Sequence, residues 1–210
     1  MDRKKAVVFF SSAWFFAGTL AIGLLNGGCA RPGVVLADKG GPIVCLGDSL
    51  TSGEGALPGQ DYPSVLGKLI GRTVINAGVS GDTTREALAR LEKDVISANP
   101  ALVIVALGAN DFFQGIPKKE TMDNLRRIVE RIQQTGAGVV LVETRVHVVD
   151  PYLKLFQSLA REKRLLLIPD ILKGIFSNPA LKSDQLHPNA AGYALMAERI
   201  ARELKPYLRK

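Results

Sequence analysis

Short apolar runs alternate along the chain with longer stretches in which apolar residues recur at helical spacing. The short runs are Ile43–Leu46, Thr73–Asn76, Leu102–Leu107, Val139–Glu143 and Leu165–Ile168. They are almost wholly aliphatic, which predicts strands covered on both faces rather than strands with one wet side. The longer stretches are Tyr62–Ile70, Thr83–Ser97, Glu120–Thr135, Tyr152–Lys163 and Asn189–Tyr207. In the third, Met122, Leu125, Ile128, Val129 and Ile132 form an apolar stripe opposite a charged face, the mark of an amphipathic helix. This alternation predicts βαβ crossovers and an α/β domain with a parallel sheet between two helix layers. No internal repeat or low-complexity tract interrupts it.

In such sheets ligands bind beyond the carboxyl ends of the strands. Four polar clusters fall there or just before the last helix: Gly47-Asp48-Ser49-Leu50, Ser80-Gly81-Asp82-Thr83, Gly108-Ala109-Asn110-Asp111 and Asp184-Gln185-Leu186-His187. Acyl transfer needs a hydroxyl nucleophile, an imidazole to take its proton, a carboxylate to hold the imidazole tautomer, and donors aimed at the developing oxyanion. Ser49, at the start of a helical turn, is the candidate nucleophile. His187 is the candidate base and Asp184 its orienter, because a three-residue loop spacing lets the carboxylate reach Nδ1 and leaves Nε2 for Ser49. Gly81 can bring its N–H close to a substrate oxygen, and Asn110 can add an amide N–H. Each residue also has a structural reading: Asp48, Ser49 or Asp82 as helix caps, Asn110-Asp111 as a turn. Their gathering at one edge of one sheet favours chemistry.

The four motifs, in this order and covering about Ile43 to Tyr207, resemble the GDSL, or SGNH, hydrolase superfamily, in particular its bacterial periplasmic thioesterases, lysophospholipases and arylesterases. The carrying segments are Gly47-Asp48-Ser49-Leu50, Asn76-Ala77-Gly78-Val79-Ser80-Gly81-Asp82-Thr83, Gly108-Ala109-Asn110-Asp111 and Asp184-x-x-His187-Pro188. The resemblance implies a flavodoxin-like three-layer α/β/α sandwich with a five-stranded parallel sheet. It also implies a Ser49–His187–Asp184 triad, an oxyanion hole from the Ser49 N–H, Gly81 and Asn110, and Gly78 in a turning role. The expected activity is hydrolysis of a small-molecule ester, thioester or lysolipid through an acyl-enzyme on Ser49. The chain departs from the pattern after the fourth strand, where Thr144–Pro151 replaces a Pro-rich segment with an Asn-Tyr-Gly stretch, so substrate preference stays open. Phe112, Phe113 and Ile116 are candidates for an acyl pocket or a lid, or simply for loop packing, and Leu57 and Pro58 for the opposite wall. Two alternatives remain: removal of acetyl groups from envelope glycans, with a small polar pocket near Phe112–Gly115, and an envelope binding protein without catalysis.

His147, the other of two histidines, also follows a strand and is a rival base, but no carboxylate stands three residues before it. The separated histidines and the lack of H-x-x-x-H or C-x-x-C leave no ready metal cluster. With no G-x-G-x-x-G or P-loop there is no nucleotide signature, so no cofactor is expected, and G-x-S-x-G is absent.

Composition changes the picture mainly at the N-terminus. The 210 residues are 47% hydrophobic and 22% charged, which describes one domain with a sizeable core and excludes disorder. Two cysteines exclude a disulfide-stapled scaffold, and 6% aromatic residues without a basic aromatic segment argue against nucleic acid. Arg3, Lys4 and Lys5 against Asp2 set +2 in residues 1–28, leaving +5 of the overall +7. The rest is dispersed among acidic neighbours, as in Arg126–Arg131, and reads as solvated surface. Behind the basic triplet runs the apolar stretch Ala6–Leu25, then Asn26-Gly27-Gly28-Cys29, the pattern of a secretory signal. Cleavage before Cys29 with acylation of its thiol, a plain cleaved signal, and an uncleaved anchor all fit. The expected organisation is residues 1–29 as signal or anchor, 30–41 as linker and 42–210 as a monomeric hydrolase domain facing the periplasm. Cys45, inside an apolar run, is expected to be buried and inert.

Overall fold

The aliphatic runs form strands in the computed structural model, which describes residues 40–144 and 152–208. These are β1 Ile43–Gly47, β2 Val74–Gly78, β3 Leu102–Ala106, β4 Gly138–Val142 and β5 Leu166–Ile168. All pair in parallel in the order β2-β1-β3-β4-β5. The chain therefore passes from β1 to one side of the sheet, then crosses back over it to β3. Gly47 lies in register with Gly78 and Ala106, so the first three strands end level and their loops leave from one edge. The winding reverses at β1, and sheets of this kind place their ligands beyond the strand ends at such a reversal.

Eight helices lie among the described residues: α1 Ser49–Ser52, α2 Tyr62–Ile70, α3 Thr84–Ala89, α4 Leu91–Asp94, α5 Ala109–Phe113, α6 Lys118–Gln134, α7 Leu153–Lys163 and α8 Ala190–Leu204. Short 3₁₀ turns cover Ile96–Ala98 and Pro179–Leu181. The period of two along each strand divides the interior. Val44 and Leu46 pack with Leu91, Leu125, Ile128 and Phe156 on one face. Ile43 and Cys45 pack with Tyr62, Leu66, Tyr193 and Ile200 on the other. The fold is thus the expected three-layer sandwich. Cys45 is fully buried, and desolvation drives its thiol pKa far above the ordinary value.

Three local expectations change. The stretch Thr83–Ser97 is not one helix, because the backbone leaves helical geometry at Arg90 (φ −99°, ψ 2°) and divides it into α3, α4 and the 3₁₀ turn. Coverage on both faces fails for β2, an edge strand paired with β1 alone, where only Ala77 is buried, although the opposite edge strand β5 is buried throughout. Gly78 does more than the turning expected of it: its N–H donates to Asn76 Oδ1 at 2.9 Å, and a Cβ there would lie 2.2 Å from the Ser52 backbone nitrogen, so glycine is needed to let α1 close on β2.

Candidate active site

The nucleophile candidate is set by its neighbours. Asp48 caps α1, its carboxylate accepting a hydrogen bond from the Leu50 N–H at 3.0 Å. That cap places Ser49 at the first helical position, directly beyond β1, where backbone N–H groups have no intrahelical partner. Gly53, at φ 95°, ends the helix after four residues. The Asp48 carboxyl is almost wholly buried, and desolvation, only partly offset by the Leu50 N–H, pushes its pKa up to about 6; the nearby Asp82 charge adds to the rise.

The loop before α8 folds on one carboxylate. Asp184 Oδ1 accepts from the backbone N–H groups of Leu186 at 2.7 Å and His187 at 2.8 Å. The Ser183 N–H donates to the His187 carbonyl at 3.0 Å, and Lys182 and Pro188 close the base of the turn. With Oδ1 so occupied, Oδ2 lies 2.8 Å from His187 Nδ1. His187 Nε2 in turn lies 3.2 Å from Ser49 Oγ, across 138 residues of chain. The hydrogen bond from His187, reinforced by the two backbone donors, lowers the Asp184 pKa to about 2.

The other two clusters meet beside Ser49. Gly81 has φ +87°, a left-handed conformation that favours glycine, and a Cβ there would meet nothing within 4 Å, so open space adjoins its backbone. Asn110, on α5, gives one amide proton to the Asp82 carbonyl at 2.9 Å and keeps the other. The structure therefore brings Ser49, His187, Asp184, Gly81 and Asn110 to one sheet edge. His147 and Cys29 lie outside the described residues.

Among the pocket candidates, Phe112 and Ile116 are half-buried. Phe112 stands edge-on to Tyr152 at 6.3 Å and to Phe113 at 5.8 Å. Of the five exposed large apolar side chains among the described residues, four follow the carboxyl ends of strands or precede the last helix: Leu57, Val79 and Leu186 in loops and Phe113 at the end of α5, between 43% and 69% exposed.

Three supporting groups escape a reading of the sequence. Asp111 is fully buried, accepts from the Thr84 N–H at 2.8 Å and hydroxyl at 2.5 Å, and so ties α5 to α3; its motif position made it visible, but only as part of a turn. Arg90 reaches Asp82 and the Gly47 carbonyl, and no local pattern announces it. Glu54 accepts from the Ser80 hydroxyl at 2.9 Å, which lies 3.1 Å from that of Ser52, on the rim of the site. Among the described residues no cluster of metal-ligating side chains occurs, and no helix is long and apolar enough to cross a membrane.

Comparison with known proteins points to one family. The model of the GDSL-like lipase/acylhydrolase family matches residues 45–195. An arylesterase of Vibrio mimicus is 34% identical over 178 residues, covering 79% of this chain and 89% of the relative. The thioesterase 1/protease 1/lysophospholipase L1 of Escherichia coli is 29% identical over 173 residues, covering 78% and 83% respectively. The crystal structure of the psychrotrophic esterase EstA from Pseudoalteromonas sp., inhibited by monoethylphosphonate, superposes with a TM-score of 0.72 at 25% identity, over 81% of this chain and all of that one.

Proposed function

The chain belongs to the GDSL-like lipase/acylhydrolase family and is a serine esterase of that family; from this premise we propose that it cleaves carboxylic esters or thioesters of apolar acyl groups through an acyl-enzyme on Ser49. The observation that carries the assignment is the line from Asp184 through His187 to Ser49, with contacts of 2.8 and 3.2 Å. In this reading His187 Nε2 takes the Ser49 proton as Oγ attacks the acyl carbon. The oxygen of the tetrahedral intermediate takes hydrogen bonds from the Ser49 and Gly81 N–H groups and the free amide proton of Asn110. His187 then protonates the leaving alcohol or thiol and activates the water that releases the acid. Asp184, anchored by two backbone donors, holds the imidazole tautomer and balances its positive charge. The exposed Leu57, Val79, Phe113 and Leu186 around this edge favour an acyl chain over a small polar acetyl-glycan.

Activated esters from acetyl to palmitoyl, given to the purified protein and to Ser49→Ala, test both statements. Wild-type hydrolysis with a medium or long optimum and a loss of at least about 10³-fold in Ser49→Ala is expected. Strict acetyl preference would transfer the reading to a deacetylase, and absence of any hydrolysis in folded wild-type protein to a binding role. For the N-terminus we infer export, with Cys29 as the acylation site, from the basic triplet and apolar run of residues 1–29. Intact-mass and N-terminal peptide analysis of the protein recovered from cells checks it: a mature N-terminus at Cys29 carrying acyl mass is expected, whereas an unmodified Cys29, or a retained residue 1–28 segment, removes the lipid.

A further inference from the structure

Arg90 stands where α3 breaks, with its side chain only 15% exposed. Its guanidinium makes three contacts: Nε to Asp82 Oδ2 at 2.6 Å, Nη1 to Asp94 Oδ2 at 3.2 Å and Nη2 to the Gly47 carbonyl at 3.2 Å. Each of the first and last leads to oxyanion donors. Asp82 follows Gly81 directly, and its own carbonyl takes one amide proton of Asn110 at 2.9 Å. Gly47 precedes Asp48 and Ser49, and its carbonyl also accepts the Val79 N–H at 3.1 Å, from the start of the Gly81 loop.

We propose that Arg90 is a positioning residue for the oxyanion hole, holding the Gly81–Asp82 loop, the Asn110 amide and the end of β1 in one register. The proposal rests on the reading of Ser49, Gly81 and Asn110 given above. Its physical basis is that a buried ion pair contributes little net stability once desolvation is counted, while its directional hydrogen bonds fix geometry. The planar guanidinium holds a carboxylate and a carbonyl in one fixed fork, a geometry that a compact ammonium on a flexible stem does not impose. It also neutralises the buried Asp82 carboxylate, whose charge would otherwise oppose an oxyanion nearby. Asp94 binds the same guanidinium from the solvent side and anchors only the helix break.

The test measures kcat, KM and melting temperature for Arg90→Ala, Arg90→Lys and Asp94→Asn beside wild type and Ser49→Ala, together with the affinity of an alkyl boronic acid, whose tetrahedral adduct places an oxygen in the hole. Arg90→Ala is expected to lose roughly ten- to a hundredfold in kcat with KM within about twofold, short of the cost of deleting a donor outright. Boronate affinity falls in parallel, and Arg90→Lys recovers part of both. Asp94→Asn keeps kcat and shifts only the melting temperature. If Ser49→Ala is inactive and folded Arg90→Ala keeps kcat and boronate affinity within twofold of wild type, the proposal is overturned alone. Should Arg90→Ala fail to fold, Arg90→Lys decides: a lower kcat supports the proposal and an unchanged one overturns it. Full activity in Ser49→Ala would overturn the underlying reading, and the proposal with it.

Discussion

The Asp48 carboxyl caps α1 from a place where water cannot reach it, and the two facts pull in opposite directions. The cap favours the charged acceptor, whereas burial disfavours it and wins, taking the pKa up to about 6. A folded state that holds its proton to a higher pH than the unfolded chain loses stability as pH rises from about 4 to about 6 and is level beyond. The two-unit shift corresponds to about 3 kcal/mol. Asp48→Asn keeps an oxygen for the Leu50 N–H and removes the ionisation. Its stability relative to wild type, from urea midpoints, is therefore expected to be similar at pH 4 and higher at pH 7. Parallel wild-type and variant profiles would show that the charged carboxylate is as well solvated in the fold as in water. Asp184 is the converse case, held low at about 2 by His187 and two backbone donors. One residue type in one site thus takes opposite shifts according to burial and partners. The chemical identities were legible in the chain, since GDSL and Asp-x-x-His spacings are local; the opposed electrostatics were not, because burial is not a property of a tetrapeptide.

Elements were legible where their periodicity is uninterrupted. The apolar stripe of α6 and the strand runs all appear within one or two residues of their expected places. Expectation failed where an element answers to a distant partner. At Arg90 the side chain is drawn to the Gly47 carbonyl, 43 positions away, and the helix breaks there although its composition is helical. At Gly78 the constraint is the approach of α1 to β2. Gly78→Ala sets a Cβ against the Ser52 nitrogen, so α1 must move outward and carry Ser49 with it. Overpacking of this kind costs about 1–3 kcal/mol. Stability and kcat are expected to fall together, which thermal melts and steady-state kinetics on one preparation will reveal. Loss of stability with unchanged kcat would mean that β2, rather than α1, gives way.

At the scale of the whole molecule the sheet separates two apolar layers that share no side chain. Ile128 belongs to the layer under α6 and Ile200 to the layer under α8, both fully buried. Each truncation to Ala is expected to cost about 2–5 kcal/mol. The costs should add within about 0.5 kcal/mol in the double variant, because sites without common partners are independent. Chemical denaturation of the four proteins measures this, and a coupling above about 1 kcal/mol would show the sheet transmitting strain between its faces. The sequence by itself determined the α/β class, the placing of strands and principal helices, and the chemical types gathered at the carboxyl edge. Hydrophobic period and side-chain chemistry are written in neighbouring residues, so they can be read there. Only the tertiary structure decided that β2 is a half-exposed edge, that Gly78 admits a helix, that Phe112 tucks inward while Phe113 stays out, and that Arg90 ties Asp82 to the end of β1. Each of these depends on which distant surfaces meet, and the burial and hydrogen-bond partners made by that meeting exist only once the chain has folded.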